Sequence, residues 1–191
     1  AVSKTFARSL RYFCIAGVFL AMFPGDEHRL SAASSEPAGY RLNDYRAPVP
    51  NTLKGVRVVS GEEARALWLV GKTVFVDVMP RVARPPNLPP QIIWRDKVRE
   101  SIPGSSWLPD VGYGRLSAAT DAYFRRHLVR LTQGDLAKPI LIYCIADCWM
   151  SWNAAKRAHE EYGYLNVIWF PDGSEAWAFD GHKLEKARPE P

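Results

Sequence analysis

The chain has 191 residues, 47% of them hydrophobic and 24% charged, with a formal net charge of +5. Length and composition suit one globular domain with an arm or tail, and exclude a disordered, collagenous or multi-spanning chain. The basic residues are scattered, which excludes a nucleic-acid-binding stripe. Three cysteines, Cys14, Cys144 and Cys148, are too few for a disulfide-framework miniprotein.

Lys4, Arg8 and Arg11 precede an apolar run from Tyr12 to Phe23. That run falls short of the roughly 20 residues that span a bilayer. Basic residues, a short apolar stretch and then small residues read as a secretory signal over 1–33, with cleavage near Ala33. An uncleaved anchor is the alternative. Removal of the signal takes Cys14 with it. It also removes Lys4, Arg8, Arg11 and Arg29 against Asp26 and Glu27, a net +2 of the +5. An exported chain meets an oxidising compartment, most simply a bacterial periplasm. No membrane association is expected after signal removal.

Residues 34–55, rich in Ser, Pro, Gly, Tyr and Arg, read as an arm laid over the domain. Val56–Val59 is a short strand. Ser60 with Glu63 three residues on is a capping-box signature, and Ala64, Leu67 and Trp68 share one face of the helix that follows. Thr73–Val78 is an apolar strand broken only by Asp77, as expected for a parallel sheet buried on both faces. Pro80–Gly104 carries six prolines and reads as a long loop. A second loop, Ser105–Gly114, carries Trp107 and Tyr113.

Thr120, Phe124, His127, Leu128 and Leu131 form a helical stripe. Pro139 opens the strand Ile140–Cys144. Ser151 is placed to cap a helix to about Tyr162. Asn166–Phe170 is the next strand, Pro171-Asp172-Gly173 a turn, and Ser174–Trp177 a short last helix. Strands alternating with helices predict an α/β fold with a parallel sheet flanked by helices. The domain runs over 56–184, with 185–191 as a tail.

The chemistry points to Cys144. It ends an apolar strand before a loop and a helix, where parallel sheets place their ligand sites. Loop amides and a helix N-terminus lower a thiol pKa, so Cys144 reads as a nucleophile, with a buried inert cysteine as the alternative. Cys148 lies four residues on. The pair is open to three readings: a structural disulfide, a redox or persulfide pair in which Cys148 resolves Cys144, or two ligands for a soft metal such as Cu(I). Asp147 lies between them. A carboxylate about 6 Å from a thiolate opposes it by ~3 kcal/mol at an effective dielectric near 20; the alternative is that Asp147 points outward as a helix-capping residue. Asp77 and Arg81, at the end of the central strand, Asp147 and Trp149 are candidate substrate-side residues, with Asp77 read first as holding the loop. Trp152 reads as core. Trp94 and Arg95 in the proline-rich loop read as a cover or partner contact, His127 as a packed helix residue, and His159 and His182 as surface residues.

Four segments, in order, resemble the rhodanese domain. They are Val74-Phe75-Val76-Asp77-Val78; Ser101-Ile102-Pro103-Gly104-Ser105, with Ser101 where a His is usual; Tyr143-Cys144; and Gly163-Tyr164-Leu165-Asn166-Val167 with Asp172-Gly173 and Glu175-Ala176-Trp177. The resemblance covers about 56–184. A narrower one, carried by Cys148-Trp149-Met150-Ser151-Trp152-Asn153-Ala154-Ala155-Lys156-Arg157, Tyr40–Tyr45 and Trp107–Gly114, is to the rhodanese-like subfamily associated with pyrroloquinoline-quinone-dependent catabolism and named for a Cys-x-x-Cys-Trp motif. Here three residues separate the cysteines. The resemblance implies a sulfurtransferase or thiol-disulfide oxidoreductase. It also implies a periplasmic accessory role, with a quinoprotein dehydrogenase or electron-transfer partner and an association with the quinone system. A non-catalytic binding or cofactor-carrying module is the alternative. The loop departs from active rhodaneses in lacking Arg and Gly, which bears against thiosulfate as donor.

Overall fold

The computed structural model describes residues 35–95 and 97–191, so the 1–33 stretch read as a signal, with Cys14, lies outside the described residues. Five parallel strands form the main sheet: β1 (Arg57–Val58), β2 (Val74–Asp77), β4 (Ser106–Trp107), β5 (Ile140–Tyr143) and β6 (Val167–Phe170), in the order β1-β6-β5-β2-β4. A second, two-stranded sheet pairs β3 (Arg99–Ser101) antiparallel with β7 (Glu185–Ala187). The four helices are α1 (Gly61–Val70), α2 (Ala118–Thr132), α3 (Trp149–Glu160) and α4 (Gly173–Phe179).

β5 and β6 are buried along their whole length, which accounts for their unbroken apolar sequences. Their period-two alternation still divides the side chains. Leu141, Tyr143, Ile168 and Phe170 join the core that includes Ala64 of α1 and Trp177 of α4. Ile140, Ile142, Cys144 and Trp169 join the core with Phe124 and Leu128 of α2 and Trp152 of α3. Each fully buried aliphatic side chain contributes roughly 2 kcal/mol. Register places Asp77 opposite Tyr143 and Tyr143 opposite Phe170, so β2, β5 and β6 end level at one edge.

The Ser60–Glu63 capping box is present, with both reciprocal bonds formed. Helix α3 is buried from Trp149 to Ala158, because core lies on one side and the arm with the 107–114 segment on the other. Asn153 accepts from the Arg41 amide at 3.0 Å and donates to the Arg41 and Gly112 carbonyls at 2.9 Å each. Arg157 donates to the carbonyls of Val111, Tyr113 and Gly114. Gly112 packs against the Met150 backbone where a Cβ would collide. The Asn153–Arg157 stretch of the motif is therefore a clamp on two irregular segments.

Three elements differ from the sequence reading. Helix α3 starts at Trp149 with Cys148 as its N-cap, two residues before Ser151, whose hydroxyl instead donates back to the Cys148 carbonyl at 3.0 Å. β3 and β4 lie inside the two stretches read as loops, since two or three residues are too few to produce an alternating pattern. Residues 185–191, read as a tail, are docked. β7 pairs with β3, the Glu190 amide donates to the Trp107 carbonyl at 3.0 Å, and Arg130 pairs with the Glu190 carboxylate. Among the described residues no helix is long and apolar enough to cross a membrane.

Candidate functional site

Cys144 leaves the end of β5 fully buried. Its carbonyl accepts from the Ser174 amide at 3.0 Å and the Ser174 hydroxyl at 3.2 Å, with the Arg99 guanidinium at 3.5 Å. Gly173 makes this approach work. Its φ is +56°, and a Cβ there would collide with the Cys144 carbonyl. The pinned backbone directs Cys144 Sγ to within 2.8 Å of Cys148 Sγ and 3.4 Å of Met79 Sδ. Both cysteines are free thiols.

Cys148 occupies different ground. The arm crosses the start of α3 here. Arg46 forms an antiparallel bridge with Cys148, its Nη1 donates to the Ala146 carbonyl at 2.6 Å, and the Tyr45 carbonyl accepts from the Trp149 amide at 2.9 Å. The Cys148 side chain makes no short cap bond, yet the Met150 amide and the Arg46 guanidinium lie close enough to favour its thiolate. A hydrogen bond from the Cys144 thiol is the largest cause, and together these pull Cys148 down to about 7 against the cost of burial. Cys144 is pushed the other way. Burial acts first, then the hydrogen bond and charge of Cys148, then Asp77. The helix N-terminus therefore serves Cys148 and favours its thiolate, while burial keeps the Cys144 thiol protonated.

Asp147 adopts φ +51°, tolerated by an aspartate, and its side chain is exposed. Burial first, and then the charge of Asp147, raise the neighbouring Asp172 carboxyl, and Asp147 is not among the main influences on either thiol. It lines a separate cleft with Val58, Ser60 and Asp172. Asp77 is fully buried and accepts from Arg99 Nε at 2.7 Å, Ser101 Oγ at 2.6 Å and the Met79 amide at 2.9 Å. Burial pushes its carboxyl up, while Arg99 and Ser101 oppose that shift. Asp77 thus ties β2, β3 and the Met79 turn together, and Ser101 takes a structural place where rhodaneses usually have His.

Arg81 lines a cleft of about 340 Å³ beyond the ends of β2 and β5, whose walls include Met79, Trp107, Ile145 and Glu175. Trp149 is 1% exposed and packs on Trp152 at 5.4 Å, with the Arg41 guanidinium over its ring, so it belongs to the core. Trp94 and Arg95 do not line the cleft. His127 is buried between the Tyr123 ring and the Pro191 carbonyl, His159 bonds the Tyr164 carbonyl, and His182 packs on Trp177. Sequence reasoning missed Arg46, Met79, Arg99 and Ser174. Arg46 directly follows the Tyr40–Tyr45 segment that carried a resemblance; the others had no local signal.

A soft cation bound at about 2.3 Å by three sulfurs holds them roughly 4 Å apart. Cys144 Sγ stands closer than that to both Cys148 Sγ and Met79 Sδ. Among the described residues no group of three or more His, Cys, Asp or Glu side chains is arranged to hold a metal.

No protein-family model matches the chain, and no curated protein matches it. Several solved structures are similar to it. A thiosulfate sulfurtransferase from Pseudomonas aeruginosa is 17% identical with a TM-score of 0.45, covering 71% of this chain and 21% of its own. A polysulfide-sulfur transferase homodimer from Wolinella succinogenes is 15% identical with a TM-score of 0.43, covering 69% and 79%. A protein of unknown function from Rhodopseudomonas palustris, described as a possible tyrosine phosphatase, is 23% identical with a TM-score of 0.41, covering 72% and 99%. This chain thus spans only about a fifth of the Pseudomonas protein.

Proposed function

We propose that this chain is a rhodanese-like sulfur-handling protein working through a vicinal dithiol. The observation that carries the reading is the 2.8 Å contact between Cys144 and Cys148, one protonated and one stabilised as thiolate, at the strand end beside a cleft. Arg46 supplies from the arm the cation that the loop itself lacks.

The chemistry runs in two steps. The Cys148 thiolate attacks the outer sulfur of a persulfide or polysulfide. The donor's S–S bond breaks, the donor leaves as a thiolate, and Cys148 carries the transferred sulfur. Cys144 then attacks Cys148 Sγ, closing a Cys144–Cys148 disulfide and releasing the transferred sulfur as hydrogen sulfide, which takes the Cys144 proton. External thiols restore the dithiol by two-electron reduction. Export through the 1–33 segment and an accessory role in quinone-dependent alcohol catabolism, alongside a periplasmic quinoprotein dehydrogenase or electron-transfer partner, complete the proposal. The subfamily segments support them.

The test treats purified protein with polysulfide and follows it by peptide mass spectrometry. The expected result is one sulfur added at Cys148 in Cys144→Ser protein. In the unaltered chain, hydrogen sulfide release should match disulfide formation one for one. If neither cysteine takes up sulfur and the disulfide never forms, the chain is the non-catalytic binding module.

A further inference from the structure

We propose that the cleft beside Cys144 binds a zwitterionic low-molecular-weight thiol, the reductant that reopens the Cys144–Cys148 disulfide. This rests on the reading that the pair closes during turnover. The cleft lies beyond the carboxyl ends of β2 and β5, where ligands of parallel sheets bind. Its volume of about 340 Å³ falls at the small end of ligand pockets, enough for a tripeptide-sized molecule.

The lining sets the ligand's charge. Arg81 and Lys97 bring positive charge, Glu100 and Glu175 negative, and Trp107 an apolar wall; the charge of Arg99, which also lines it, is matched by the buried Asp77. An anion or a cation alone would meet groups of its own sign. A molecule with separated carboxylate and ammonium groups matches both. Glu175, on α4, is anchored to the reactive loop, accepting from the Ala146 amide at 3.2 Å.

The cleft also selects which sulfur is attacked. Met79 and Ile145 line it, and Met79 Sδ touches Cys144 Sγ at 3.4 Å, so Cys144 is the sulfur that adjoins the cleft. Methionine is unbranched and rotates readily, so its movement opens Cys144 to the cleft. The bound thiolate attacks Cys144 Sγ, forming a mixed disulfide and expelling Cys148 as thiolate beside Arg46. A second thiol then attacks the ligand's sulfur in the mixed disulfide. Two thiols become one external disulfide, and the protein recovers both thiols.

The test uses the whole chain, oxidised to the disulfide, with glutathione as the thiol and S-methylglutathione as its unreactive analogue. S-methylglutathione is expected to bind saturably in calorimetry and to inhibit reduction by glutathione competitively. Lys97→Glu, in an exposed loop, and Ala178→Arg, which fills the cleft from α4, should each lower the glutathione to 2-mercaptoethanol rate ratio about tenfold. No S-methylglutathione binding, with an unchanged ratio in both variants, overturns the proposal even if Cys148 takes up sulfur. If sulfur uptake fails instead, the calorimetric isotherm on the Cys144→Ser, Cys148→Ser chain still decides whether the cleft binds this class of ligand.

Discussion

Two thiols four residues apart share a contact of 2.8 Å and almost nothing else. Cys144 belongs to the sheet side. It follows β5, its carbonyl is pinned by Ser174, and its environment is set by burial and by the Asp77 charge. Cys148 belongs to the arm side, at the start of α3, with Arg46 and the Met150 amide around it. Identical side chains thus receive opposite pKa shifts, from the hydrogen bond between them and from the different ground each occupies. One environment makes a thiolate, and the other keeps a proton for release.

The largest expected effect comes from breaking the sheet side. Asp77→Asn leaves the Arg99 guanidinium without its carboxylate, in a pair that is 12% and 0% exposed. Removing one partner of such a buried pair costs ~3 kcal/mol or more, measured by urea unfolding. A loss below about 1 kcal/mol would mean that Asp77 is not what ties β2 to β3.

The next effect tests the asymmetry directly. At neutral pH Cys148, with its pKa near 7, is substantially ionised, while Cys144 is held well above the ordinary thiol value. Iodoacetamide should modify Cys148 roughly 100-fold faster than Cys144, read by peptide mass mapping of the reduced chain. The Cys148 rate should climb with pH up to about 7 and level off above it. Stability carries the same signature. The folded Cys148 loses its proton near 7 and the unfolded one at the higher ordinary value, so the unfolded chain holds more protons between the two. Cys148 therefore contributes stability at alkaline pH that is lost as pH falls through about 7, a dependence absent from Cys148→Ser. Faster modification of Cys144 would reverse the roles assigned to the two thiols.

Much of this arrangement is legible in the sequence, and the gaps have physical causes. Apolar runs buried on both faces mark β2, β5 and β6, and reciprocal capping marks α1. The cysteine pair is visible by its spacing. The start of α3 was misjudged because Ser151 is the better capping residue by type. In the structure Trp149 and Met150 are already buried in the helix, which leaves Cys148 the cap position. The Asn153–Arg157 stretch was readable as helix but not as a clamp, since its partners Arg41 and Val111–Gly114 lie far away in sequence. Arg46 was invisible for the same reason: it reaches Ala146 across 100 residues.

Arg46 also supplies the smallest and most discriminating effect. Its guanidinium is one of several influences on Cys148, ranked after the Cys144 hydrogen bond and the Met150 amide. It is exposed, so solvent and salt screen it. Arg46→Ala should therefore raise the Cys148 pKa slightly and slow alkylation at neutral pH roughly twofold, with the unfolding midpoint nearly unchanged. Arg46→Lys keeps the charge but not the fork that reaches the Ala146 carbonyl, and should recover part of the rate. The roughly twofold loss should shrink as salt is raised, because a charge acting through solvent is screened whereas a bond from a buried thiol is not. If the alanine variant leaves the Cys148 pKa where it is, the arm is only a cover. The difference between the two thiols would then rest on the Cys144 hydrogen bond and the start of α3 alone.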